Sequence, residues 1–189
     1  MSVFDPQTSA LVLIDLQLGI VGRPLAPRSG SDVVAAAIQL ANRFRTAGAL
    51  VVPVRVDWAQ DFVDMPPQNV DQPIPRPPGG LPADWGTYAE GVVQPGDLCI
   101  TKRQWGAFHG TELDLQLRRR GVKTIVLGGV ATNFGVESTA RQAWEFGYDV
   151  VIAEDICTSA AADLHAMAIG HVFPRISRVL SSDTIHLSA

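Results

Sequence analysis

Cysteine, histidine and surplus positive charge are all scarce in this chain, and each shortage removes a class of function. Two cysteines, Cys99 and Cys157, occur in 189 residues. That is too few for a disulfide framework, so both are expected as free thiols. The histidines, His109, His165, His171 and His186, show no ligand spacing, which argues against a His/carboxylate metal site. The three C-terminal ones are assigned no role. Lys and Arg number 15 against 19 Asp and Glu, a net charge of −4, and this leaves no basic footprint for nucleic acid. The basic run Arg118-Arg119-Arg120 ends a helical pattern, where cations suit the helix dipole. No stretch of about 18 apolar residues occurs, and no basic segment followed by an apolar one opens the chain. Neither membrane insertion nor secretion is expected, and the cytoplasm is the expected compartment. Gly128, Gly129 and Gly135 fit neither the dinucleotide fingerprint nor the phosphate-loop pattern, so no nucleotide or other cofactor is expected.

What the chain does have is apolar sequence, 47% of it, enough for one substantial core and read as a single domain over residues 1–189. Apolar runs at Ala10 to Asp15, Leu50 to Val56, Leu98 to Thr101, Thr124 to Gly128, Val150 to Ala153 and Arg178 to Leu180 alternate with helical patterns. The helices are expected at Ser31 to Ala47, Thr111 to Arg120, Asn133 to Phe146 and Ser159 to Val172, with a short one from Asp183. This rhythm predicts a doubly wound, six-stranded parallel α/β sheet with helices on both faces. Gly48, Gly121 and Gly147 fall where helix ends favour positive φ. From Asp61 to Pro82 prolines crowd, and a segment of that length reads as a lid or a subunit contact.

Ligands of such sheets sit beyond the carboxyl ends of the strands. Asp15, Asp57, Lys102, Gly128 and Asp155 fall there, with Asp155 expected as a turn or cap residue opening a connection. The stretch from Thr124 to Ala140 is the most informative. A strand buried on both faces ends at Gly128-Gly129, and Thr132 or Asn133 can cap the helix that follows. Such a turn presents unpaired helical N–H groups, a natural anion or oxyanion site.

The run Gly129-Val130-Ala131-Thr132-Asn133-Phe134-Gly135-Val136-Glu137-Ser138-Thr139-Ala140 resembles the signature of the isochorismatase-like, or cysteine hydrolase, superfamily, Gly-hydrophobic-x-Thr-Asn/Asp-x-Cys-Val-x-x-Thr-Ala. It departs only at the cysteine, where Gly135 stands. Asp15 with Gln17 resembles the family's Asp-x-Gln, and Lys102, Ala107-Phe108 and Gly110-Thr111-Glu112-Leu113 resemble its central lysine motif. The resemblance covers nearly the whole chain. It implies an Asp15–Lys102 pair that works on substrate, with Asp15 acting as acid or base according to whether burial or the neighbouring ammonium dominates. It also implies a cis Val130–Ala131 peptide, with the Ala131 and Gly135 N–H groups facing a substrate oxygen.

Without a thiol at Gly135, covalent amidase chemistry is disfavoured, and neither Cys99 nor Cys157 replaces it. Ser138 and Thr139 have no activating histidine nearby in sequence and read as helix surface and packing. Isochorismatases of the superfamily also carry Gly there and protonate a vinyl ether from the Asp, although this chain has Asn133 where they typically have His. Metal-binding relatives place Asp-x-His near Asp57-Trp58-Ala59, which lacks the His, so no metal is expected. Trp58, Trp105, Phe108 and Phe134, with Gln17, His109, Thr132 and Asn133, are candidate pocket residues for a small cyclic or aromatic substrate. The resemblance further implies a homodimer or homotetramer. The expected function is small-molecule hydrolysis without a cysteine adduct, on a vinyl ether such as isochorismate. The alternative is a catalytically silent relative that binds a ligand or partner.

Overall fold

The computed structural model describes residues 2–188. Six strands form one parallel sheet: β2 (Ser9–Ile14), β3 (Leu50–Val56), β4 (Ile100–Lys102), β5 (Thr124–Val130), β6 (Asp149–Thr158) and β7 (Arg178–Leu180), in the order β4-β3-β2-β5-β6-β7. A second sheet pairs β1 (Ser2–Phe4) with β8 (Ile185–Leu187), also in parallel.

Every residue of β2 is buried, and its side chains divide by parity. Ala10, Val12 and Ile14 join the core layer that contains Leu113, Leu117, Ala140 and Ala143. Leu11 and Leu13 join the opposite layer, against Val33, Ala37, Leu40 and Phe44. The period-two alternation of a strand therefore feeds two apolar cores at once. After the single-turn helix α1 (Leu18–Val21), helix α2 (Gly30–Thr46) covers the second layer. Ser29 caps it by accepting from Asp32 N at 3.1 Å, and Gly48 at φ 74° ends it. Helices α3 (Leu113–Arg119) and α4 (Glu137–Glu145) cover the first.

Three expectations need correction. Strand β6 does not stop at Ala153 but runs to Thr158, because β5 shifts register between Leu127 and Gly129 and pairs Gly129 with Cys157 and Val130 with Thr158. Asp155 and Cys157 thus lie in the strand and not in a connection. The Asp155 carboxylate accepts from Ser182 N and Oγ at 2.7 and 2.6 Å, and burial pushes the Cys157 thiol up to about 12. Cys99, in turn, is exposed and precedes its strand. The third concerns Asp183, which sits in a single 3-10 turn, Ser182–Thr184. The chain then continues as β8, held by its ladder to β1, a partner about 180 residues away that local pattern does not reveal.

The predicted helix from Asn133 opens as a wide π turn, Thr132–Val136, before α4 begins. The helix predicted over Ser159 to Val172 divides into α5 (Ala162–Met167) and a second π turn, Ala168–Val172. Residues 61–82 contain turns and bends only. Their start is tied down by Asp64, which pairs with Arg103 at 2.6 Å and accepts from Ala59 N.

Candidate active site

The chain leaves β2 to build one half of the sheet through β3 and β4, then returns to build the other half from β5. The crevice of a doubly wound sheet opens at that reversal. Asp15 follows β2 at the crevice, with φ 53°, its N–H donating to Val54 O at 2.8 Å. A non-glycine residue held in the left-handed region is uncommon and clusters at functional sites. Two strands away, β4 ends on Lys102. Its ammonium donates to Asp15 Oδ2 at 2.8 Å and to the Trp105 carbonyl at 2.7 Å.

Both partners are nearly inaccessible, 6% for Asp15 and 1% for Lys102. A buried pair of this kind stabilises little, because desolvation offsets the attraction. Desolvation is in fact the dominant influence on Asp15 and raises its carboxyl from 3.8 to about 6, against the opposing pull of the Lys102 ammonium and of the nearby Val56 backbone N–H. Oxygen Oδ1 of the same carboxyl is buried without any hydrogen-bond partner. An unpartnered carboxylate oxygen is costly unless something outside the fold engages it.

Gly135, within the π turn after β5, faces this pair. A Cβ placed there would lie 3.3 Å from Asp15 Oδ2, 3.4 Å from Lys102 Nζ and 2.9 Å from Ile14 Cγ2. With no side chain in the way, the Gly135 backbone itself closes over the carboxyl and ammonium on that side. The Val130–Ala131 peptide that leads into the turn is cis. Trp105 and Phe134, 55% and 38% exposed, pack against each other at a ring separation of 4.7 Å beside this crevice. Trp58 lies next to Trp85 at 5.4 Å, and its indole N–H donates to the Arg103 carbonyl.

Several candidates have their polar atoms committed elsewhere. Gln17 is fully buried; its Nε2 donates to Val56 O and Trp85 O, while its Oε1 accepts from Val56 N. It clamps the loop after β2 to the end of β3 and leaves no N–H for a substrate. Phe108 is a core residue, edge-on to Phe146 at 5.3 Å and stacked on Tyr148 at 5.9 Å. His109 is exposed, and only its carbonyl is engaged, by Gln104. Thr132 is wholly buried with its hydroxyl on His165 Nδ1, and the Asn133 carbonyl oxygen accepts from Ser159 Oγ. These two side chains anchor the π turn.

Behind them stand His165, its neighbour Glu154 and the Arg28 that pairs with Glu154, none of which sequence reasoning singled out. The only trace is that His165 follows Glu154 by 11 residues, and no motif joins them. Among the described residues, no group of three or more His, Cys, Asp or Glu side chains gathers to hold a metal ion, and no helix is long and apolar enough to cross a membrane. A cavity of about 520 Å³ opens at the amino edge of the sheet, beside Ser9, Arg45 and Val51. None of Asp15, Lys102 or Gly135 lines it; the Asp15–Lys102 pair lies at the carboxyl ends of the strands, on the other edge.

Residues 9–184 match the isochorismatase domain. The chain is 48% identical over 182 residues to the isochorismatase family protein YecD of Escherichia coli O157:H7, covering 96% of each. It is 45% identical over 175 residues to YwoC of Bacillus subtilis, covering 92% of this chain and 90% of the relative. An isochorismatase family protein from Burkholderia thailandensis superposes with a TM-score of 0.88 at 44% identity, covering 95% of this chain and 94% of that one. Matched along nearly its whole length in both sequence and fold, the chain belongs to the isochorismatase-like hydrolase family.

Proposed function

We propose that this protein hydrolyses a small cyclic or aromatic molecule without a covalent cysteine intermediate, with Asp15 as general acid or base and a vinyl ether such as isochorismate as the substrate type. The observation that carries this reading is the Asp15 carboxyl. One oxygen is held by Lys102, the other is buried and unpartnered, and the whole faces the side-chain-free Gly135. With its midpoint raised to about 6, roughly one carboxyl in ten is protonated at pH 7. That is close enough to neutrality for the group to give a proton or take one.

On an enol ether, Asp15 gives its proton to the terminal carbon, and water adds to the oxocarbenium carbon that results. The hemiketal loses its ring alcohol to leave a ketone, and the proton released by the water restores the carboxyl. Lys102 holds Oδ2 in place and limits the rise of the Asp15 midpoint. The Ala131 and Gly135 N–H groups are assigned to the developing oxygen charge. Trp105 and Phe134 form an apolar wall suited to a flat ring. Exposed Trp144, Phe146 and Met167 fit assembly into a homodimer or homotetramer.

The test is turnover of a panel of isochorismate, other enol ethers, amides and carbamates by wild type and Asp15→Asn. Enol-ether cleavage that falls on the order of 10²-fold in kcat with Asp15→Asn supports the reading. Amide hydrolysis that survives Asp15→Asn would refute it. Tight binding of a panel member with no turnover would show the protein to be a silent binder instead.

A further inference from the structure

The π turn that carries Gly135 is tied to its own helix by the Thr139 hydroxyl, which donates to Gly135 O at 2.7 Å, and it is fastened further by a chain of side chains from three other parts of the fold. The Thr132 hydroxyl lies 2.9 Å from His165 Nδ1, and His165 Nε2 lies 3.0 Å from Glu154 Oε1. Glu154 is gripped by Arg28 Nη2, at 2.9 Å from Oε1 and 3.0 Å from Oε2. Arg28 is itself fixed to β6, since its N–H donates to Thr158 Oγ1 and its carbonyl accepts from that same hydroxyl. Thr132 and His165 are 0% and 5% exposed, while Glu154 keeps one side in water.

Donor logic orders this chain. A carboxylate only accepts, so the proton of the neutral ring sits on Nε2 and points at Glu154. Nδ1 is then the acceptor, and the Thr132 O–H must donate to it. Arg28, by pairing with both oxygens of Glu154, holds the carboxylate that the Nε2 proton faces. A buried histidine with both nitrogens used and the tautomer dictated from outside is the arrangement that orients catalytic and ligating groups elsewhere.

We propose that His165 is a positioning residue of the active site: held in its Nε2–H tautomer by Glu154 and Arg28, it fixes Thr132 and through it the turn that holds Gly135 against the Asp15–Lys102 pair. The link to the reacting groups is steric. Gly135 approaches Ile14 so closely that a Cβ would come within 2.9 Å of its Cγ2 and 3.3 Å of Asp15 Oδ2. The turn therefore forms the roof that keeps water from Asp15. If Thr132 is released, the roof lifts, the carboxyl is rehydrated and the N–H donors of the turn move off their target.

This inference rests on the proposed function only in naming Asp15 as the proton-moving group, and its test needs no substrate. Carbon-detected titration of the Asp15 carboxyl reads the roof directly. The wild type and the conservative variants Thr132→Ser and His165→Asn, the latter keeping an acceptor in place of Nδ1, are expected to titrate near 6. Thr132→Val and His165→Gln, which lacks that acceptor, are expected to fall toward the ordinary value of 3.8. Where a substrate is known, kcat should drop on the order of tenfold or more with KM less affected. Folded Thr132→Val and His165→Gln proteins that still titrate near 6 overturn the proposal. Imidazole ¹⁵N–¹H correlation spectra of the unaltered protein provide a check that requires no variant to fold. A proton on Nε2 of His165 supports the chain, and a neutral ring protonated on Nδ1 overturns it. A protein that cleaves no enol ether but shows both signatures would refute the function and leave the positioning role standing.

Discussion

Raising a buried carboxyl from 3.8 to about 6 makes it a liability for folding, and the liability is measurable. Between those two values the native state keeps a proton on Asp15 that the unfolded chain has already lost. The native state thus binds more protons, and stability falls as pH rises through this window, levelling off above about 6. The span from 3.8 to about 6 corresponds to about 3 kcal/mol. For a chain of this size that is about 6–12 °C in Tm. Other acids titrate over the same range, so the comparison must be with Asp15→Asn, which keeps the shape and removes the titration. That variant also leaves the Lys102 ammonium without its carboxylate, a cost of about 3–5 kcal/mol that is carried at every pH in the window and drops out of the slope. Urea unfolding at closely spaced pH values from 4 to 7.5 is the assay. The wild-type curve should lose about 2.4 kcal/mol more than the variant curve between pH 4 and 7, the rest of the span lying below pH 4. Parallel curves would refute the argument, because they would mean that Asp15 is hydrated or that Lys102 cancels its burial.

Gly135→Cys should cost about 1–3 kcal/mol in denaturant unfolding, since its Cβ would press on Ile14, a β-branched side chain with little rotamer freedom. Its new thiol should react with thiol reagents and either open weak ester or amide cleavage or block native turnover by collision; a buried, inert thiol with unchanged turnover would place the pocket elsewhere. Wild-type activity should survive thiol reagents, because the one exposed cysteine, Cys99, precedes β4 and the other is buried; inactivation on modification of Cys99 would contradict this. Activity should also withstand dialysis against a strong chelator, and stoichiometric zinc or iron whose removal abolishes turnover would overturn that. Sedimentation should show a dimer or tetramer at micromolar concentration, and a monomer near 20.2 kDa throughout would count against it.

The strands were legible where local pattern and burial agree. The uninterrupted apolar run of β2 places Asp15 from sequence alone, and Gly128-Gly129 marks the approach to the turn although β5 does not stop there but runs on to Val130. The extension of β6 was not legible, because it depends on a register shift in its neighbour and not on its own residues. Gln17 looks like a polar residue beside a site, and only the fold reveals that Val56 and Trp85 occupy its carboxamide. Phe108 misled for the opposite reason: an aromatic near a strand end reads as pocket or core equally well, and Phe146 and Tyr148, some 40 residues on, settle it. His165 carried no signal because its partners, Thr132 and Glu154, meet it only once α5 packs back on the sheet.

Lys102 closes β4, a three-residue strand at the edge of the sheet, whereas Asp15 follows the fully buried centre. Edge elements open locally at lower free energy than central ones. Amide exchange at Ile100 to Lys102 is therefore expected to outpace that at Ala10 to Ile14, and mild denaturant should uncouple the ammonium from the carboxyl while the centre of the sheet still stands. The molecule would then fail in two stages, with its chemistry lost at the rim before its architecture is lost at the middle.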